Sequence, residues 1–442
     1  QLPLEAYGLG NGTIDVEGPL EFTELSYTVN SQFSRGYIGP EGFDKAYFEV
    51  KSINGNVIAE RVEILKGPGS IKLVGKGFPD GNIDTTIEAK NLLLEEIQTI
   101  TDKGMGLTGI VNADVTMKGY VFKPQIQLTG RVSRVAMNEQ SLPDSTINFK
   151  ITSSLLEGKA EVMGGKILTD FKIPLSDEAP FSFKLTTEKY NFAPAFSIIS
   201  SSNRQMGYDT ELTANISLNS PRGGIKKATG KIDISTFRIS RNSMSMSAPK
   251  PIDIRIQEGV VKVENFTILG DNTQLTAASK PAPEGTSLVQ LSGFIDMALL
   301  SFLTPFLQEL RGLLSVSAQI KLGQNFNLQG TGFIERGYVK LKDFPHPLEQ
   351  LRSDITFNES RINVNSFTGL IAGGKLQADG YIRYEGYKKF PSNIHIRLED
   401  TTIRVPDGVS SRGSGDATIT GSWFPFLMEG SYVVTEGFMD RS

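Results

Sequence analysis

Reactive chemistry draws on a short list of side chains, and this chain of 442 residues places few of them in useful company. It has no cysteine, which excludes a thiol nucleophile, a disulfide and cysteine-ligated zinc. Its two histidines are His346, between Pro345 and Pro347, and His395, between Ile394 and Ile396. Neither has His, Asp or Glu at metal-ligand spacing, so both are expected at the surface without a chemical role. The glycines of Gly67-Pro68-Gly69 and Gly373-Gly374 lack the GxxxxGKS/T spacing of a phosphate loop and do not lead into a helix, so they read as turns. No GxSxG elbow is present. Carboxylates are plentiful, as on any sheet surface, and leave a glycosidase pair open. The expectation is no catalytic residue, no metal and no cofactor.

What recurs is apolar. Ile252, Ile254 and Ile256 alternate with Asp253 and Arg255, and Val261 and Val263 flank Lys262. Ile355 and Phe357, Ile362 and Val364, and Leu376 and Ala378 keep the same period of two. Such alternation puts one apolar face and one wet face on a strand. These eleven residues are the candidate lining of an apolar surface.

The elements that carry them repeat. Ala113-Asp114-Val115-Thr116-Met117 returns as Ala214 to Leu218, Ala318 to Leu322 and Ala417 to Gly421, at spacings of 101, 104 and 99 residues. A glycine follows each string, at Gly130, Gly230, Gly330 and Gly430. Self-similarity at a fixed period marks an array built from one unit. The expected units are about 1–108, 109–206, 207–311, 312–411 and a partial 412–442, with no independent globular domain. Links rich in Gly, Pro, Asn and Asp favour antiparallel meanders, and the recurring glycines fit turns or bulges. One short helix is expected in each of three units, over Met297–Leu310, Leu92–Ile100 and Phe192–Ile199. The clearest has Leu299, Leu303, Phe306 and Leu310 at helical spacing, Thr304-Pro305 as its start and Gly312 as its cap.

These helices are too few to cover a sheet of this length, yet an apolar face must be buried against something. At a spacing of about 4.8 Å, some 25 to 35 strands would span on the order of 120–170 Å, and such a sheet must curl. The expectation is an all-β fold: a long curved sheet built from repeats and folded into a U-shaped trough with a few short helices. Formal charge is −4, with 45 basic and 49 acidic residues interspersed, so no basic stripe recommends nucleic acid. The most apolar stretch, Phe294 to Leu310, is broken by Asp296, Pro305 and Glu309 and is too short to span a membrane.

Gly415-Asp416-Ala417-Thr418-Ile419-Thr420-Gly421, followed by Phe424-Pro425 and Gly430, resembles the repeated signature of TamB proteins, in the AsmA superfamily. Thr402 to Pro406, Phe294 to Gly312, and Phe367-Thr368 through Gly373-Gly374 to Gly380 are similar to it as well. The resemblance implies the sheet called a β-taco, bent into a U with an apolar interior. It also implies a periplasmic location and phospholipids as the cargo conducted between inner and outer membrane. The eleven apolar residues above are then the lipid-groove lining. An inner-membrane anchor and an outer-membrane barrel partner, TamA, are implied too, the anchor and the barrel-docking region being expected outside this sequence. The alternative is a scaffold or chaperone for outer-membrane β-barrel assembly. A carbohydrate-active β-solenoid enzyme is a more distant rival, and would need a shorter coil period.

Overall fold

A computed structural model of the chain describes residues 6–18, 26–102, 106–137, 140–176, 179–194, 207–222, 224–283, 285–303, 307–322, 327–342, 344–383, 385, 391–404, 408–422 and 427–439. Among them are 29 strands of a 29-stranded antiparallel sheet, one four-residue α-helix and three 3-10 turns. The fold is all-β. Two compact units divide the chain, the first Gln1–Tyr190 with Ala214–Gly230 and the second Asn191–Thr213 with Lys231–Ser442.

The first unit contains β1 (Ala6–Glu17), β2 (Ser26–Ile38), β3 (Glu41–Ile53), β4 (Asn56–Lys66), β5 (Gly69–Gly77), β6 (Asn82–Leu93) and β7 (Leu107–Tyr120). β8 (Gln125–Met137), β9 (Gln140–Leu142), β10 (Ser145–Ile151), β11 (Leu155–Val162), β12 (Ile167–Pro174) and β13 (Phe181–Tyr190) follow. Each pairs with its neighbour in sequence, β8 taking both β9 and β10. Local turn chemistry explains the hairpins. Between β3 and β4, Asn54 and Gly55 both have positive φ, the two-residue turn whose twist matches paired strands.

After β6 the chain makes a 3-10 turn at Leu94–Glu96 and helix α1 (Gln98–Thr101). Helix does not extend over Leu92–Ile100 as the spacing suggested, because Leu92 and Leu93 pair with Val111 and Ile110 and so remain strand. A short helix leaves its first N–H groups without partners, and Glu41, at the start of β3, supplies them. Its carboxylate accepts from Gln98 N and Thr99 N at 3.0 and 3.1 Å, from Thr99 Oγ1 at 2.9 Å and from Lys66 Nζ at 2.9 Å.

β14 (Tyr208–Ser220) and β15 (Thr229–Arg241) come next, then β16 (Met244–Ser247), β17 (Ile252–Gln257), β18 (Val260–Val263), β19 (Phe266–Gly270), β20 (Thr273–Lys280) and β21 (Ser287–Asp296). β22 (Leu307–Leu322), β23 (Asn327–Leu341), β24 (Leu348–Glu359), β25 (Arg361–Ile371), β26 (Gly374–Arg383), β27 (Pro391–Ile403), β28 (Val409–Ser422) and β29 (Leu427–Met439) complete the second unit. Here the pairing forks. β15 pairs with both β16 and β17, and β16 passes over the β17–β18 hairpin to pair with β19. The two branches meet again through side chains. Ser287 Oγ and Ser279 Oγ accept from Val261 N and Val263 N of β18 at 2.6 and 2.8 Å. Val263, Ala277 and Val289 are buried together, with Ile254, Val261, Leu291 and Ile320 packed around them.

The expected helix Met297–Leu310 is corrected to a 3-10 turn at Met297–Leu303. Leu310 lies in β22 opposite Val339, and Gly312, with φ +123°, sits at a bulge of that strand instead of capping a helix. Ladder hydrogen bonds to β23 compete for the same backbone groups and prevail over a weak local periodicity. Leu299 is fully buried against Ile239, Met246 and Ile295. Tyr208 Oη donates to its carbonyl at 3.2 Å. Thr304, Pro305 and Phe306, and most of the Phe192–Ile199 helix, lie outside the described residues.

Candidate functional site

Strand register turns the period-two pattern into rows that cross the sheet. In the first unit Phe48, Val62, Leu73, Ile87, Val115 and Leu128 stand directly opposite one another, strand after strand. The row continues through Phe149, Gly158, Phe171 and Phe183. Ten strands at about 4.8 Å carry it for roughly 45 Å. Every residue of the row is half-buried and none is fully buried. A second layer packed as in a sandwich would bury them outright, so this face keeps contact with its surroundings. None of these residues was among the candidates, although each sits in an alternating strand; the missing signal was register, which single strands do not carry.

One residue away runs the opposite face. Tyr47, Glu63, Lys72, Glu88 and Asp114 form a row of their own. Lys72 and Arg61 bridge to Glu63, and hydrogen bonding from Arg61 holds that carboxyl below the usual range. Exposed ion pairs of this kind add little stability; they keep that face wet.

The second unit repeats the arrangement. One row runs Ile268, Leu275, Gly293, Val316, Gly332 and Ile355, then Val364, Gly380, Ile394 and Ile419. Its neighbour contains Phe357, Ile362 and Ile382. A bulge keeps the faces consistent: Val364 pairs with Ile355 and Phe367 with Ser353, so two positions of opposite parity share a face.

The eleven candidates thus fall into three surroundings. Ile355, Phe357, Ile362 and Val364 are half-buried members of adjoining rows, and Ala378 stands between Phe367 and Ile396 in the next. Ile254, Val261 and Val263 belong to the cluster where the two branches meet; Ile252 is 5 % exposed and Ile256 pairs with Val261. Leu376 is buried with Leu351 and Ile371. None of the eleven is exposed.

The four repeated strings lie on β7, β14, β22 and β28. Three of their alanines face the following glycine, as Ala113–Gly130, Ala318–Gly330 and Ala417–Gly430. A Cβ on Gly330 would stand 2.9 Å from that of Ala318, and one on Gly430 would stand 2.8 Å from that of Ala417. The second string differs, Gly230 lying against Leu218.

His395 is exposed and shares a 3.1 Å hydrogen bond with Thr418 Oγ1. His346 is half-buried rather than exposed, because its Nε2 accepts from Arg404 N at 2.8 Å and ties two loops together. Burial, with Arg404 and Lys340 nearby, lowers its pKa and keeps it the neutral acceptor. Among the described residues no group of three or more His, Asp or Glu is placed to hold a metal ion. No helix there is long and apolar enough to cross a membrane.

Residues 365–439 match the family model described as the TamB C-terminal domain. Over these residues the chain is similar to TamB proteins. The match runs from within β25 to the end of β29 and takes in the last repeated string. TamB proteins belong to the bacterial envelope and serve outer-membrane assembly or lipid transport, without a known catalytic reaction. No curated protein matches the chain.

Proposed function

We propose that this TamB-like protein conducts phospholipids between inner and outer membrane, their acyl chains lying along the apolar rows. The observation that carries the reading is the row Phe48 to Phe183: apolar or glycine at ten neighbouring strands, half-buried throughout, with a charged row on the opposite face. Each acyl CH₂ in water costs about 0.8 kcal/mol, and an unbroken apolar lane removes that cost. Equivalent weak contacts along the lane let a chain slide without a deep well at any step. In this reading the sheet bends into a U-shaped trough in the periplasm, in units of about 100 residues. An inner-membrane anchor and a TamA-like barrel partner would complete the path, and the chain itself catalyses nothing.

Mass spectrometry of organic extracts from the purified protein tests the lane. Phospholipid is expected in the wild type and at least several-fold less in a folded Ile87→Asp, Ile362→Asp variant, since each charge opposes burial of hydrocarbon. Protein that carries no phospholipid when purified without detergent would sink the proposal. The scaffold reading rests on β29, which among the described residues pairs with β28 alone and exposes Val433 and Phe438. It would gain if client β-strands protected β29 from exchange while no lipid was found.

A further inference from the structure

β18 meets the apolar face of the second unit edge-on. Register places Leu275, Ala277 and Ser279 of β20 on one face, opposite Gly293, Leu291 and Val289 of β21. Leu291 and Val289 in turn stand opposite Ala318 and Ile320 of β22. From Ala318 the row runs on through Gly330 and Phe357 to Ile362. Two serines mark the margin of this hydrocarbon. Ser279 stands directly opposite Val289, and Ser287 lies two residues along β21 from it, so both hydroxyls rise from the apolar face.

Those hydroxyls hold β18. One edge of β18 takes its ladder from β17. Along the other edge Val261 N donates to Ser287 Oγ at 2.6 Å and Val263 N to Ser279 Oγ at 2.8 Å. Edge donors of an in-plane neighbour reach the next strand; these reach side chains that stand on a sheet face, so β18 rests on that face, against β20 and β21. Beneath it Val263, Ala277 and Val289 are 8 %, 6 % and 6 % exposed, whereas Phe357 and Ile362, farther along the same face, are half-buried.

The fastening is light. Two side-chain hydrogen bonds and one small apolar cluster take the place of a ladder. Both strands of the hairpin are also interrupted at one level, at 248–251 between β16 and β17 and at 264–265 between β18 and β19. Pro249 and Pro251 have no N–H with which to continue a ladder there. The far end is the tight turn at Glu258 and Gly259, with φ of +49° and +80°. A short strand with few backbone bonds and a break at its root opens more readily than the sheet around it.

We infer that β18 is a strap across the lipid lane. It covers the apolar face while the lane is empty, and it lifts from Ser279 and Ser287 when an acyl chain enters and takes its place on Ala277, Val289, Leu291 and Ile320. β17 keeps its pairing with β15, so the strap stays tethered and closes again behind the chain. Hydrocarbon replaces hydrocarbon on the face, and water replaces the two hydroxyls at Val261 N and Val263 N. The exchange is therefore nearly balanced, and a weakly held, sliding ligand is enough to drive it. This rests on the lipid-conduit reading and adds to it a gate at one place on the second unit's apolar face.

Hydrogen exchange of the whole chain, read at single amides, tests the strap. With dihexanoylphosphatidylcholine added below its micelle concentration, Val261 and Val263 should exchange about tenfold faster while the ladder amides between β21 and β22 keep their rates. Ser279→Ala with Ser287→Ala should speed the same two amides without lipid, and should raise the rate of phospholipid uptake from vesicles several-fold. Circular dichroism checks the fold of that variant, and if it fails to fold the wild-type exchange decides alone. Rates at Val261 and Val263 that lipid leaves unchanged or slows overturn the strap, as does uptake that the folded double variant does not hasten. Extracted lipid from the same preparations separates the two ideas: phospholipid present with unchanged exchange removes the strap alone, and phospholipid absent removes the conduit.

Discussion

At the scale of single residues, two kinds of position bear weight, a glycine within an apolar row and the carboxylate that receives helix α1. Glycine is one. Gly293 stands in an apolar row with φ +137°, against the Gln274 carbonyl and 3.0 Å from Leu275 Cα if given a Cβ. Gly293→Ala should therefore cost about 1–3 kcal/mol, as overpacking does, seen as a lower urea midpoint with an unchanged slope. Glu41 is the other. Burial pushes its carboxyl up, but Lys66, the N–H groups of Thr99 and Gln98 and the Thr99 hydroxyl outweigh it and hold the pKa at about 2. A carboxyl depressed from 4.5 in the folded state stabilises fully above pH 4.5 and ceases to do so as pH falls toward 2. Stability should decline across that window, and Glu41→Gln should flatten the decline while lowering stability at pH 7. An unchanged pH profile in the variant would show that Glu41 does not hold the helix.

At the scale of elements, strands were readable, and the helical turns were readable in place but not in extent. Alternation at Ile252–Ile256 and Ile355–Phe357 identifies β17 and β24 because a half-buried strand imposes its period on its own sequence. Leu299, Leu303, Phe306 and Leu310 imitate a helix, yet Leu310 answers to Val339 on the next strand, a partner no local window contains. Of the supposed helix, the essential part is one side chain. Leu299 is 0 % exposed, and Leu299→Ala should cost about 2–5 kcal/mol. Hydrogen exchange should show lost protection first at Ile239, Met246 and Ile295, which it covers. Loss spread evenly over the second unit would show that Leu299 does not cover this cluster.

At the scale of the whole chain, composition and repetition predicted an all-β protein and the alternation predicted its two faces. Register across strands was out of reach, and with it the row Phe48 to Phe183. Three of the eleven candidates, Ile254, Val261 and Val263, are packed in the cluster where the branches of the fork at β15 meet, and no strand reports that on its own. β29 is exposed along its length, with Met428, Val433 and Phe438 at 66 %, 68 % and 60 %. An apolar edge of this kind invites strand addition. Sedimentation velocity should find concentration-dependent association that Val433→Lys with Phe438→Lys suppresses; association that persists would move its source elsewhere.

Pairing between neighbours in sequence has a consequence for the order of assembly. From β1 to β13, nearly every strand finds its partner in the segment made just before it, so the closing loops are short and the entropy lost per step is small. A chain delivered from one end can be laid down as it arrives, each finished strand serving as the template for the next. The fork departs furthest from this order among the described residues. β16 must wait while β17 and β18 are made and set aside before β19 arrives to pair with it. Vectorial folding therefore pauses there, holding an open edge for about twenty residues of delivery.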